Sequence, residues 1–342
     1  MTKDQVLEFL WNHREDYISG AALAAELGLS RTAIWKAVEA LRSDGYTIDS
    51  LPNRGYLLVD AGNRLDAFSI KSHLRHQELD IRTYETISST NTVLKQLAEE
   101  GAPEGLALVA EGQTAGRGRM GRSFYSPEKT GLYMSLLLRP RLSAYDATVL
   151  TVAAAVAVAE SIEELTGQKT QIKWVNDVLI DGKKICGILT EGAIDVETGM
   201  LQYAIVGIGI NIRPPKGGFP EEIASLAGAL LPENSGLAQS GNTDQIPAEK
   251  RSEDSPLRSR LAARVLDRLM DFYEALPERS FYTAYKSRSF LLGRPINILA
   301  VGEEPRPATA IDIAPDFSLI VQTEDGKTEH LNSGEVSVRE RR

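Results

Sequence analysis

The sequence predicts an α+β protein in three parts. These are a winged helix-turn-helix over residues 1–62, a central α/β domain with a mixed sheet over 66–287, and a small β barrel over 288–342. Three observations carry that prediction. Helical periodicity at the start of the chain gives way to a hairpin pattern near Tyr46. Through the middle, strand-like and helical runs alternate, with an Asp181-Gly182 pair marking an antiparallel hairpin among them. After Arg288 the apolar runs are short and alternating (Ile296–Ala300, Thr309–Ile313, Leu319–Gln322), separated by turns.

The first part is read element by element. Asp4 to Asn12 has a helical pattern with Val6, Phe9 and Leu10 on one face. Ser19 is placed to cap a second helix that runs to Leu27 and is closed by Gly28. Ser30 is placed to cap a third, Arg31 to Arg42, with Ile34, Val38 and Leu41 inward. Tyr46–Ile48 and Tyr56–Val59 flank Pro52-Asn53-Arg54-Gly55 as a hairpin, or wing. Two helices around Gly28-Leu29 make a helix-turn-helix pattern. Residues 1–58 carry six Lys/Arg against eight Asp/Glu, a net of −2. The third helix, however, holds Arg31, Lys36 and Arg42 against Glu39, and the wing tip holds Arg54, where DNA would lie. Ser30, Arg31, Thr32, Trp35, Lys36 and Arg54 are the candidate DNA-binding residues. The alternative is a small helical domain that binds protein or nothing. So weakly basic a module needs pairing to hold DNA, because phosphate contacts supply most of the affinity.

Asp60–Asp66 reads as a linker and Ala67–His76 as a short helix. A strand at Thr83–Thr86 leads into Ser88-Ser89-Thr90-Asn91 and a helix to Glu100, stopped by Gly101. Ser89 and Thr90 suit helix capping, and a helix N-terminus also suits a polar or anionic ligand. After the strand Leu106–Ala110 comes Gly112 to Pro127, GQTAGRGRMGRSFYSP, with Arg117, Arg119 and Arg122 and no acidic side chain. Guanidinium forks suit phosphate and carboxylate oxygens. In a chain of net charge −9 such a patch implies an anionic partner, although a solvated surface loop is the plain alternative. Gly116-x-Gly118-x-x-Gly121 matches dinucleotide-binding spacing, but the next run, Gly131–Arg139, reads as a strand where that motif needs a helix. A strand-to-strand loop that folds over a phosphate-bearing ligand fits better. No G-x-x-x-x-G-K-[ST] run occurs, which excludes a P-loop.

Asp146–Leu165 reads as a buried, alanine-rich helix. In Ile172 to Leu189 the hairpin turn ends one strand at Ile180 and starts the next near Lys183, so that Lys184, Cys186 and Ile188 share a face. An unpaired buried lysine is costly. Lys184 is therefore either a functional cation, with Asn176 and Asp177 placed to supply a counter-charge or a metal ligand, or an edge residue whose head reaches water. Cys186 reads as a small buried hydrophobe. Leu231–Pro256, polar and rich in Ser, Glu and Pro, reads as a disordered insertion, and Leu257–Leu276 as an amphipathic helix.

Composition narrows the class. The 342 residues are 42% hydrophobic and 25% charged, ordinary for a soluble globular chain. The single cysteine excludes an internal disulfide framework and agrees with the cytoplasm. The start lacks a signal-peptide pattern, and the most apolar run, Val149–Ala159, is far short of the ~20 residues of a membrane span. The four histidines are scattered, none at metal-ligand spacing with the lone cysteine, so a structural zinc site is not expected and no residue is assigned as a metal ligand.

Four runs together resemble the bacterial biotin protein ligase family: Ser88–Asn91, Gly116–Arg122, Lys173–Asp177 and Lys184–Leu189. Gly207–Asn211 fits that family's later glycine strand. With a helix-turn-helix in front, the chain resembles the bifunctional type that also represses the biotin operon. Val175 departs from the proline usual in the family. The resemblance implies a central catalytic domain and an SH3-like C-terminal barrel. It implies that biotin and ATP form biotinyl-5′-adenylate, with Mg²⁺ accompanying ATP, and that biotin then passes to a lysine of the biotin carboxyl carrier protein. Biotin would be bound by Ser89, Thr90, Asn91, Gln113, Arg117, Gly118, Arg119 and Lys184, and ATP by Arg117, Arg119, Arg122, Asn176 and Asn211. Lys184, Arg119 and Asp177 would act in catalysis. Operator DNA and an adenylate-bound homodimer follow from the same resemblance, and no membrane partner does. Two rivals stand beside it: a lipoate or octanoate transferase, against which the arginine-glycine run argues, and a transcription regulator that only senses a ligand.

Overall fold

A computed structural model describes residues 2–13, 16–60, 65–231, 257–300, 304–332 and 336–340. The predicted insertion, from residue 232 on, lies outside the described residues. The described residues divide into two compact units, those up to 73 with 257–260, and those of 74–231 with 261–340.

The first unit contains α1 (Thr2–Asn12), α2 (Gly20–Glu26), α3 (Arg31–Ser43), the hairpin β1 (Thr47–Leu51) and β2 (Gly55–Asp60), and α4 (Ala67–Lys71). Val6, Leu7, Leu10, Leu23, Ile34, Val38 and Leu41 form its core. Leu7 takes the inward place expected of Phe9, which is only partly buried and stacks on His13 at 4.2 Å. The hydroxyls of Ser19 and Ser30 each accept from the backbone three residues on, Ala22 and Ala33, at 3.1 Å, so both predicted caps are made. α4 ends at Lys71, five residues before the expected His76. Beyond it the Arg75 and His76 amides donate to the buried Asp267 carboxylate at 2.9 and 3.1 Å, which replaces helical partners.

The second unit is built on a seven-stranded mixed sheet of β3 (Asp80–Ile87), β4 (Leu106–Gln113), β5 (Gly131–Leu138), β6 (Gln171–Lys173), β7 (Asp177–Ile180), β8 (Lys183–Ile194) and β9 (Leu201–Asn211). Its order is β3-β4-β5-β9-β8-β7-β6, with β3 and β4 parallel and the other pairs antiparallel. The sheet carries α5 (Thr90–Glu99) and α6 (Thr148–Thr166), and the alanines and valines of α6 are buried. α7 (Glu221–Ala224), α8 (Leu257–Glu274), of which residues 261–274 belong to this unit, and α9 (Tyr282–Ser287) follow. Asp181 and Gly182 both have positive φ, 49° and 72°, which is the two-residue hairpin turn that the Asp-Gly pair encodes.

The strand after that turn differs from the expected alternation. Val178 pairs with Cys186 but Leu179 pairs with Lys184, so Ile185 is an extra residue in β8. Such a bulge shifts the side-chain phase by one. Cys186 is buried in the core, while Lys184 shares the opposite face with Gly187.

The C-terminal strands β10 (Pro295–Ala300), β11 (Arg306–Ile313), β12 (Leu319–Thr323), β13 (Thr328–Leu331) and β14 (Val336–Glu340) form an antiparallel sheet ordered β13-β12-β11-β10-β14. Its end strands do not pair among the described residues, so the expected barrel is not closed there. Within this unit the sheet is fastened to the centre. Trp174 Nε1 donates to the Phe317 carbonyl at 3.0 Å, and Phe281 stacks on Phe317 at 5.5 Å. Among the described residues no helix is long and apolar enough to cross a membrane.

Candidate active site

A cleft opens on the sheet where the N-terminus of α5, the loop after β4 and strands β8 and β9 meet. It is lined by Thr90, Gln113, Arg117, Arg119, Asn176 and Lys184, with Ser89, Asn91 and Gly118 beside them. Nine of the predicted site residues thus come together from stretches up to 95 residues apart. Arg122, Asp177 and Asn211 stand outside the lining. Arg122 is exposed, and its backbone closes the loop turn by accepting from Gly118 at 2.7 Å. Asn211 is buried and donates to the Gly228 carbonyl at 2.9 Å, while the Gly228 amide donates to the Lys184 carbonyl at 2.9 Å. It braces the Lys184 backbone rather than facing the cleft.

The floor is a hydrogen-bonded network. Ser89 caps α5, accepting from Thr92 at 3.4 Å, so its expected capping role is filled. Gln113 Oε1 accepts from the Thr90 amide at 2.9 Å, and Gln113 Nε2 donates to Ser126 Oγ at 3.0 Å. The fully buried Ser135 bonds Thr90 Oγ1 at 2.7 Å and Asn91 Oδ1 at 2.6 Å. Two glycines of β9 make room for what lies above them. A Cβ at Gly207 would stand 2.1 Å from Asn91 Oδ1, and one at Gly209 would stand 2.6 Å from the Phe124 ring.

The cations are individually held. Lys184 Nζ lies 2.6 Å from Asp177 Oδ1 and 5.9 Å from the centre of the Phe124 ring. Asp177 thus supplies the counter-charge that its position on the hairpin suggested. Arg119 donates to Asn176 Oδ1 at 3.2 Å. Burial pulls the Arg119 guanidinium below its ordinary value, opposed by the Asp177 charge. Cys186 is fully buried, which pushes its thiol up and removes it as a nucleophile. The free space in the cleft is about 50 Å³, against ~300 Å³ for an ordinary small-molecule pocket. A neighbouring cleft of about 200 Å³ shares Arg119, Ile188 and Leu189 with it. Phe124 lies across the cleft, its ring beside Gly209 and Lys184.

Sequence reasoning missed Phe124, Ser126, Ser135 and Glu191. Only Glu191 leaves a usable signal, as the single acid in the apolar run from Ile185 to Ile194. Two carboxylates outside the lining pair with its cations, Asp177 with Lys184 and Glu191 with Arg117. Among the described residues the one grouping of three metal-competent side chains, His76, Glu78 and Glu274, contains no cleft residue.

In the first unit Arg31, Thr32 and Lys36 are exposed along the start of α3, and Trp35 is 54% exposed between them. Ser30 is the cap of that helix. Arg54 at the wing tip lies over the Tyr17 ring at 4.9 Å. Arg42 is not part of this face, because it donates to Glu39 and to the Ile48 carbonyl.

Comparison with known proteins agrees with this layout. Residues 83–211 match the Biotin/lipoate A/B protein ligase family, 2–57 an HTH domain, and 291–339 the Biotin protein ligase C terminal domain. The bifunctional ligase/repressor BirA of Bacillus subtilis is 40% identical over 232 residues, which cover 67% of this chain and 70% of that protein. The protein of that name from Escherichia coli is 26% identical, with 95% and 94% covered. A solved structure, biotin protein ligase from Aquifex aeolicus in complex with biotin and ATP, is 28% identical with a TM-score of 0.56, covering 77% of this chain and 99% of that one. Fold and cleft together define a ligase of the biotin/lipoate class with a helix-turn-helix domain in front. Within that class, the chain belongs to the biotin protein ligase family.

Proposed function

We propose that the chain is an ATP-dependent, AMP-forming biotin protein ligase that also acts as a biotin-responsive repressor. One observation carries the ligase reading: Lys184, Arg117 and Arg119, from two distant stretches, converge on a floor of Thr90 and Gln113. The names of the relatives support the pairing of the two functions, and the Aquifex aeolicus complex supports biotin and ATP as ligands.

In the first step a carboxylate oxygen of biotin attacks the α-phosphorus of ATP, the bond to the β-phosphate breaks, and pyrophosphate leaves. Negative charge gathers between carboxylate and phosphate, and oriented cations are the device that stabilises it. Arg117 and Arg119 would hold the carboxylate and phosphate oxygens, and Lys184 would stand at the junction. Ser89, Thr90, Asn91, Gln113 and Gly118 would receive the polar edge of biotin. Arg122, Asn176 and Asn211 would support the nucleotide, Asn211 by bracing the Lys184 backbone. In the second step the amine of a carrier-protein lysine attacks the acyl carbon, loses a proton, and AMP leaves. Asp177 would orient that amine. Magnesium would enter bound to the ATP phosphates, since the cleft lining itself holds no carboxylate among the described residues.

For the repressor, Arg31, Thr32, Trp35 and Lys36 of α3 would enter the major groove with Ser30 at its cap, and Arg54 would reach the backbone from the wing. Homodimerisation of the adenylate-bound form would supply the second half-site. The C-terminal sheet fits an open SH3-like module, and the protein would work in the cytoplasm.

The ligase test is biotin-dependent exchange of labelled pyrophosphate into ATP, with lipoate and octanoate in place of biotin as the competing substrates. No exchange with biotin refutes the ligase. The repressor test is titration of a two-half-site operator with and without biotin and ATP. Identical curves refute the repressor and leave the ligase standing.

A further inference from the structure

We infer that Glu191 is a positioning residue for the arginine loop: it fixes Arg117 to the buried floor of the cleft, in the orientation that meets the carboxylate of the ligand. The inference rests on the ligase reading and adds a residue outside the set named for it.

Glu191 lies on β8 with its side chain 24% exposed, and each carboxylate oxygen has its own partner. Oε1 is 3.1 Å from an Arg117 terminal nitrogen, and Oε2 accepts from Asn91 Nδ2 at 2.8 Å. Asn91 is itself held on three sides. It is buried, its Nδ2 also donates to the Leu189 carbonyl at 3.2 Å, and its Oδ1 accepts from the buried Ser135 hydroxyl. That pattern permits one amide orientation only, with the donor towards Glu191. The carboxylate is therefore anchored to the sheet, and through it so is Arg117.

The need for an anchor follows from the loop. Arg117 sits between Gly116 and Gly118, and its side chain is 48% exposed. A long side chain on a glycine-rich loop samples many rotamers, and fixing it only when the ligand binds costs affinity. Glu191 fixes it beforehand. A half-exposed ion pair contributes little to stability, so the consequence of this one is geometric. A guanidinium has five donors, and the Glu191 contact uses one nitrogen, which leaves a fork for the incoming carboxylate. Glu191 also offsets repulsion among Arg117, Arg119 and Lys184, three cations on one small cleft. The base of the loop is tied to the same floor separately, through Gln113 and Ser126.

The test is steady-state pyrophosphate exchange by the full chain, read as separate KM and kcat for biotin. Glu191→Gln keeps the shape and an acceptor for Asn91 but removes the charge. It should raise the biotin KM about tenfold with kcat within about twofold, as loss of ligand pre-organisation does. In an Arg117→Ala background the same substitution should add nothing, because its route is gone. Glu191→Asp, with the charge kept but shortened by one methylene, should fall between, and it carries the test if the glutamine variant does not fold. An unchanged KM in a folded variant overturns the inference. An equal cost with and without Arg117 overturns it too, by assigning Glu191 to Asn91 alone. A wild type without exchange removes the ligase reading and the inference together, whereas an exchanging wild type with unaffected variants removes the inference only.

Discussion

Replacing Lys184 with alanine should leave the protein folded and slow adenylate formation at least ~100-fold. The fold survives because the strand is held there by backbone. The Lys184 amide donates to the Leu226 carbonyl at 2.8 Å and its carbonyl accepts from Gly228 at 2.9 Å, and alanine keeps both. The rate loss has two sources. The first is the missing cation at the junction of carboxylate and phosphate, where one oriented donor is typically worth ~10²–10³ in kcat. The second is Asp177, whose Oδ1 lies 2.6 Å from Lys184 Nζ and loses that partner on substitution, so that more of its charge would oppose the incoming phosphates. Because the Lys184 side chain is 34% exposed, solvent screens part of that repulsion, and the lower end of the range is the expected value. Adding Asp177→Asn should recover part of the loss, since it removes the repulsion and not the missing cation. The assay is pyrophosphate exchange at saturating biotin and ATP, with melting temperature as the control for folding. A folded Lys184→Ala protein within about threefold of wild type would refute the placement of Lys184 at the reacting junction.

Three further outcomes are expected. Gly207→Ala should displace Asn91 from the floor, cost ~1–3 kcal/mol of stability by denaturant titration, and weaken biotin binding, because the new Cβ would stand 2.1 Å from Asn91 Oδ1. Burial alone would lower the His76 imidazolium, but hydrogen bonds to Asp271 and Glu78 outweigh it and raise the group above its ordinary 6.5. Its stabilising effect is therefore full below about pH 6.5 and fades as pH rises through the raised value, so the melting gap between wild type and His76→Gln should shrink from acid to alkaline pH. Residues 112–127, rich in glycine and with Arg117 and Arg119 on the cleft, should gain hydrogen-exchange protection when biotin and ATP bind; equal protection in both states would count against closure.

Much of this was legible from residue types, and the exceptions have physical causes. The caps at Ser19 and Ser30 and the Asp181-Gly182 turn depend on local chemistry alone, and each forms where the sequence places it. The phase of Lys184 is not local. It depends on a bulge set by pairing between β7 and β8, which no alternation pattern encodes, so Cys186 and Lys184 end on opposite faces. Phe124 and Ser135 read as ordinary loop and strand residues because their roles exist only once Gly209 and Asn91 are brought against them. Arg122 shares the arginine run yet stays outside the cleft lining, since a loop turn rather than residue type decides which guanidiniums point inward.

The central claim is that this cleft joins biotin to AMP and hands it to a carrier lysine. The most direct measurement incubates the purified chain with biotin, MgATP and an unmodified biotin carboxyl carrier domain, following carrier mass and nucleotide products together. The account predicts one biotinyl group on a single carrier lysine and one AMP, with no ADP, per group transferred. An unmodified carrier, or modification accompanied by ADP, would contradict it.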